Sequence, residues 1–86
     1  MDYAKKIVYQ SNYWYNDGLR KAQIRDMSGA AKSLRISLQF NRENIAARNL
    51  LGLVYYGTGE VAEALVEWII SKNLRPRDNI ANYFIK

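Results

Sequence analysis

The amino-acid sequence predicts an all-α protein built from antiparallel helix-turn-helix units. The 86-residue chain nearly repeats itself after 34 residues, so that residues 11–44 align with residues 45–78 without a gap. Under this shift Gly18 aligns with Gly52 and Ala30 with Ala64, and small residues kept in register commonly mark close approaches of two backbones. Apolar residues also recur three or four positions apart between polar or glycine-rich breaks. Such a period is typical of helical-hairpin arrays.

The first two helices are predicted to form the first hairpin, after an N-terminal extension of residues 1–10. A long helix is expected from Asp2 to about Ile24, because this stretch lacks proline and its apolar residues follow helical spacing. Asp26 is a suitable N-cap for the second helix, since its carboxylate can accept the free amide protons of the next turn. This second helix is expected to end near Phe40.

The third and fourth helices are predicted to form the second hairpin. Asn44 can cap the third helix, which is expected to end near Tyr56. Residues 57–59 read Gly-Thr-Gly and predict a tight turn, because glycine adopts left-handed conformations at little cost. The fourth helix is expected from about Glu60 to Lys72.

A last, short helix is predicted over residues 79–86. Asn73 is expected to end the fourth helix in a left-handed conformation. Pro76 is the only proline of the sequence and prevents the helix from continuing. Asp78 is then expected to cap the short helix.

Composition narrows the classes of function. A chain of this length forms a single domain with a modest core. The sequence contains neither cysteine nor histidine, so it lacks the most reactive nucleophile, the usual general base and the commonest zinc ligand, and we expect no enzyme, cofactor or metal site.

The net charge of +5 is spread along the chain as single residues and pairs, which argues against nucleic-acid binding. With no long apolar stretch and no secretory signal, we expect a cytoplasmic protein without a membrane span.

The second repeat carries a recognisable motif. The tetratricopeptide repeat has Trp, Leu-Gly and Tyr in its first helix and Ala, an aromatic residue and Pro in its second. The second repeat matches at six positions: Leu51, Gly52, Tyr55, Ala64, Trp68 and Pro76. The first repeat matches less completely: Trp14, Gly18, Ala30 and Leu34. From residue 11 to residue 78 the chain therefore resembles this family. The resemblance implies two repeats stacked as a short right-handed α-solenoid of about five helices, with residues 79–86 as a partial third repeat or capping helix.

The small residues of the motif have an expected packing role. Helices of one hairpin must approach closely enough for ridges to enter grooves, and a bulky side chain at the crossing would separate them. Gly18 with Ala30, and Gly52 with Ala64, are predicted to lie at these crossings. The larger motif side chains are predicted to fill the remaining core.

The resemblance also implies a binding surface. In this family the first helix of every hairpin lines a concave groove. The positions that correspond here are Asn12, Tyr15, Leu19, Gln23, Asn49, Leu53 and Tyr56. Tyrosines offer a large contact area and the amides can pair with a peptide backbone, although Leu19 and Leu53 are expected to serve packing more than contact. The leading hypothesis is a non-catalytic scaffold or interaction module that holds a peptide or helix of another protein.

The alternative hypothesis is a self-associating structural module. Helical arrays usually need about three repeats to cover their ends, and this chain has two with a partial third. The apolar residues of the last segment would then be only partly covered: Ile80, Tyr83 and Phe84. A homodimer, or a helix exchanged between two copies, would bury them.

Overall fold

The computed structural model describes residues 2–85, which form five α-helices and no strand. The helices are α1 (Tyr3–Gln23), α2 (Met27–Phe40), α3 (Ile45–Gly57), α4 (Val61–Leu74) and α5 (Ala81–Phe84). The predicted all-α class is therefore confirmed. No helix of this described part is long and apolar enough to cross a membrane.

Side-chain caps start α2 and α3 at the predicted places. Asp26 accepts a hydrogen bond from the amide of Gly29 at 2.9 Å, and Asn44 accepts one from Ala47 at 3.1 Å. Both predicted N-caps are thus confirmed. Each cap satisfies an amide that the first turn of a helix leaves without a partner.

The end of α4 and the last helix differ from the prediction. α4 continues through Asn73 to Leu74, so Asn73 does not end it in a left-handed conformation. The helix ends because proline disfavours the helical conformation of the preceding residue, and Arg75 is extended with φ −140° and ψ 92°. α5 is also shorter than predicted and begins at Ala81, whose amide donates to Asn79 and not to Asp78. Lys86 lies outside the described residues.

The two hairpin turns share one backbone feature. Gly59 has φ +84°, whereas Gly57 is still helical, so only one of the two glycines takes the predicted left-handed conformation. Arg25, which aligns with Gly59, has φ 66°. The first hairpin therefore makes the same turn with a residue that is less suited to it.

The helices pack as two antiparallel pairs. Ser11 of α1 lies opposite Ser37 of α2, whereas Gly18 lies opposite Leu34, so the two helices run in opposite directions. α3 pairs with α4 across a three-residue turn, α2 contacts α3, and α5 packs on α4. The main core lies between the two hairpins and is composed of Ala30, Ala31, Leu34, Leu38, Ala47, Leu51 and Val54.

Glycine permits the closest contacts of both hairpins. A Cβ atom on Gly18 would lie 2.7 Å from Cγ of Leu34, and one on Gly52 would lie 2.6 Å from Cδ1 of Trp68. Because Leu34 and Trp68 align in the two repeats, the same glycine-to-large-residue contact occurs twice. Ala30 and Ala64 are fully buried on the opposing helices.

A buried serine and asparagine join each hairpin to the helix that follows it. Asn44 donates to Oγ of Ser11 at 2.9 Å and also approaches Oγ of Ser37 at 3.4 Å. At the next junction Asn79 donates to Oγ of Ser71 at 2.9 Å and to its carbonyl oxygen at 3.1 Å. Ser37 and Ser71 align in the repeat. Each asparagine also accepts from the first turn of the next helix, so one side chain fixes both elements.

Candidate binding cleft

A cleft of about 450 Å³ opens beside α3. Its walls come from α1, from one face of α3 and from the segment between α4 and α5. Ile45, Asn49 and Leu53 lie four residues apart along α3, so a single helical face forms one wall. The core residues Ala47, Leu51 and Val54 occupy other positions of the helix, which leaves this face free.

Asn49 joins α3 to the α4–α5 segment. Its side chain is 9% exposed, and its Nδ2 donates to Oδ1 of Asn79 at 2.9 Å. The Nδ2 of Asn79 donates to Ser71 and to the carbonyl oxygen of Arg75, so the orientation of both amides is fixed by these bonds. Oδ1 of Asn49 consequently has no hydrogen-bond partner among the described residues. A buried acceptor in this state lowers stability until it receives a donor.

The remaining walls are apolar with charged groups near the opening. Tyr15 and Leu50 are half-buried, and Leu53 is exposed. Arg75 and Asp78 are both exposed on the opposite wall, so the cleft offers a positive and a negative group. This combination suits an apolar side chain carried on a hydrogen-bonding backbone, as in a peptide.

Three of the predicted groove residues meet in this cleft, and the others lie elsewhere. Tyr15, Asn49 and Leu53 all line it. Asn49 lies in the wall of this cleft as a buried joint, because its amide already holds Asn79. Ile80, which was predicted to serve self-association, also lines the cleft.

The other four groove candidates have separate positions. Asn12 accepts a hydrogen bond from Asn44 at 3.3 Å and thereby supports the junction between the hairpins. The ring of Tyr56 lies 6.1 Å from that of Trp68, on the α4 side of the hairpin. Leu19 is half-buried, and Gln23 is exposed at the last residue of α1.

The motif residues and the end segment are placed as follows. Leu51 and Trp68 are buried, Trp14 and Tyr55 are half-buried, and Pro76 is exposed. Of the end segment, Tyr83 is 73% exposed, so it is free for contact. Phe84 is half-buried because its ring lies 4.7 Å from that of Trp68, and this contact closes the small core of α4 and α5.

The cleft also contains residues that the sequence analysis did not assign to it. Arg75, Asp78 and Asn79 reach it because the chain after α4 folds back along α3. One signal for this was present in the sequence. Residues 79–86 align with the start of α3, so a further first helix would place them beside α3.

A polar cluster occupies the outer side of the first hairpin. Lys21 Nζ lies 2.8 Å from Oδ2 of Asp17, and Oγ of Ser33 donates to the same oxygen at 2.6 Å. These two bonds, that of Lys21 first, lower the pKa of Asp17 below its ordinary value. The second repeat has an ion pair at other positions: Nη1 of Arg48 lies 2.8 Å from Oε1 of Glu67. Within residues 2–85 no three acidic side chains lie close enough together to hold a metal ion. The glutamates of α4 therefore do not form such a group.

Comparison with profiles of known protein families, with curated proteins and with solved structures finds no match to this chain. The helix packing and the cleft are therefore the observations that bear on its function.

Proposed function

We propose that this chain is a non-catalytic protein-interaction module of the tetratricopeptide-repeat type. In this proposal the two hairpins stack as a short right-handed α-solenoid, and the cleft beside α3 holds a segment of a partner protein. The repeated glycine contacts of Gly18 and Gly52 support the repeat assignment, because they occur at aligned positions with aligned large residues.

The observation that carries the proposal is the cleft itself. Its volume of about 450 Å³ lies within the usual range of ligand pockets, which is roughly 300 to 1,000 Å³. Its apolar wall, formed by Tyr15, Leu50 and Leu53, suits one or two apolar side chains of a guest peptide. The charges of Arg75 and Asp78 at the opposite wall would favour a guest that also carries polar groups.

Asn49 supports the cleft without contacting the guest in this proposal. Its amide is buried and bonded to Asn79, so it holds the α4–α5 segment against α3. The absence of histidine and cysteine from the sequence supports a binding role over catalysis.

A peptide-display selection against the intact protein tests the proposal. We expect enriched peptides whose affinity falls at least about fivefold on the Leu53→Ala substitution, as for a typical interface contact. Leu74→Ala is the matched control, because the two leucines are 43% and 42% exposed and Leu74 lies on α4, away from the cleft. Selected peptides that bind Leu53→Ala and the unaltered protein equally would show that the cleft is not the site.

A further inference from the structure

The outer face of α4 is apolar, in addition to its inner face. Val61, Leu65 and Ile69 follow one another at intervals of four residues, and Val66 lies beside them. These four side chains, the α4 stripe, are between 38% and 52% exposed. A helix that is apolar on both sides is typically covered on both sides. Within residues 2–85 the α4 stripe has no cover.

The first repeat shows how the chain covers the part of such a stripe that corresponds to Val61 and Leu65, whereas Val66 and Ile69 align with the exposed Lys32 and Arg35. Ala31 aligns with Leu65 but is only 8% exposed, and Met27, which aligns with Val61, packs against the same core. Both are covered because α3 lies across α2. α5 lies on α4 as α3 lies on α2. Ala81 of α5 is fully buried, and so is Ala47, the residue of α3 that aligns with it. α5 ends after one turn, however, and the α4 stripe stays exposed.

Another copy cannot cover the stripe with its α1 in the way that α3 covers α2. The residues of α3 that face the main core include Leu51, Val54 and Tyr55, and the aligned residues of α1 are Asp17, Arg20 and Lys21. These three form ion pairs at the surface, with Asp17 at 2.8 Å from Lys21 and 3.3 Å from Arg20. Burying them against an apolar stripe would remove their hydration. A head-to-tail stack of copies is thus disfavoured.

We infer that the α4 stripe binds the α4 stripe of a second copy, in an antiparallel pair about a twofold axis near Leu65. The stripe is a ridge of side chains four residues apart, and two identical ridges of this kind can enter each other's grooves at the commonest helix-crossing angle. No charged residue interrupts it. In this arrangement the two Leu65 side chains meet at the axis, and Val61 of each copy lies beside Ile69 of the other. A symmetric contact of this type closes and does not extend into a fibre.

The dimer is expected to be weak and to leave the cleft open. One helix face is small beside the roughly 800 Å² per partner of a standard interface, so we expect dissociation at micromolar concentrations. The cleft is lined by α1, α3 and the segment after α4, and the stripe residues are on none of these. The inference is therefore independent of the proposed peptide binding.

Sedimentation velocity across a dilution series tests the inference. The unaltered chain is compared with two variants that carry opposite charges at position 65, Leu65→Glu and Leu65→Lys. The unaltered chain should pass from dimer to monomer between about 500 and about 1 µM. Leu65→Glu and Leu65→Lys should each associate at least about 30-fold more weakly, because like charges would meet at the axis. An equimolar mixture of the two variants should form dimers again, since each pair then contains opposite charges. Tyr9→Glu is the control, because Tyr9 is a 62% exposed residue of α1 outside the stripe.

Circular dichroism establishes that each variant folds, and the pair Val66→Glu and Val66→Lys replaces the first pair if it does not. The inference is overturned if the unaltered chain is monomeric at the highest concentration. It is also overturned if Leu65→Glu dimerises as the unaltered chain does, or if mixing the two variants restores no dimer. The last result would place Leu65 away from a twofold axis.

Discussion

The substitution Gly52→Ala tests the closest helix contact of the second hairpin. The added Cβ would lie closest to Nε1 of Trp68 and 2.6 Å from its Cδ1, so the ring must move by more than about 1 Å to reach an ordinary contact. Trp68 is buried, and its Nε1 donates to the carbonyl oxygen of Asn49 at 3.3 Å. Overpacking of this kind lowers stability by about 1 to 3 kcal/mol, and loss of the hydrogen bond by about 1 kcal/mol more. The higher helix propensity of alanine returns about 1 kcal/mol.

The expected net change is a loss of about 1 to 3 kcal/mol in the free energy of unfolding, measured by urea denaturation followed by circular dichroism. Gly57→Ala is the matched control, because it is the same substitution on the same helix. Apart from its chain neighbours and the backbone of α3, no described atom lies within 4 Å of its added Cβ, so alanine should raise stability by up to about 1 kcal/mol. Equal stability of the two variants would refute the close-approach argument. A control that loses as much as Gly52→Ala would instead indicate a general intolerance of α3 to substitution.

Three further predictions concern stability and are measured by the same denaturation. Arg25→Gly should gain up to about 1 kcal/mol, because Arg25 has φ 66° where the aligned residue is Gly59; an unchanged or lower stability would contradict the strain. Asp17→Asn should lower stability at neutral pH, and the deficit should shrink as pH falls below about 4, since the lowered pKa of Asp17 contributes stability only above its titration range. A deficit independent of pH would contradict that account. Asn44→Ala should lose about 1 to 3 kcal/mol, because it removes an N-cap and a bond to Ser11, and a loss below about 0.5 kcal/mol would argue against the junction.

Local signals predicted the middle of the fold well and its end less well. The caps Asp26 and Asn44 each act on an amide three residues away, so the local sequence determines them directly. The end of α4 was misplaced because Asn73 can adopt a left-handed conformation but is not obliged to, whereas Pro76 constrains Arg75. The late start of α5 follows from Asn79, which accepts from the amide of Ala81 and is itself held by Asn49, a contact between distant parts of the chain.

The cleft was predicted only in part, for a similar reason. Tyr15, Asn49 and Leu53 were identified from their positions in the motif, which fixes the exposed face of a first helix. The burial of these three side chains depends on which other segment of the chain packs over that face of the helix. Asn49 is covered because Asn79 returns to it, and Arg75 and Asp78 enter the cleft on the same segment. The 34-residue repeat indicates that residues 79–86 lie beside α3, but it does not indicate which side chains of this segment enter the cleft.

The junctions at Asn44 and Asn79 use the same kind of contact, so the second hairpin lies between two similar joints. Both asparagines bind the preceding serine and start the next helix, and Ala47 and Ala81 occupy the same fully buried place after them. If a copy of residues 46–79 were inserted after Asn79, the inserted helix would follow an asparagine that already binds Ser71. We expect such copies to extend the array, because each seam keeps the hydrogen bond from Asn79 to Ser71.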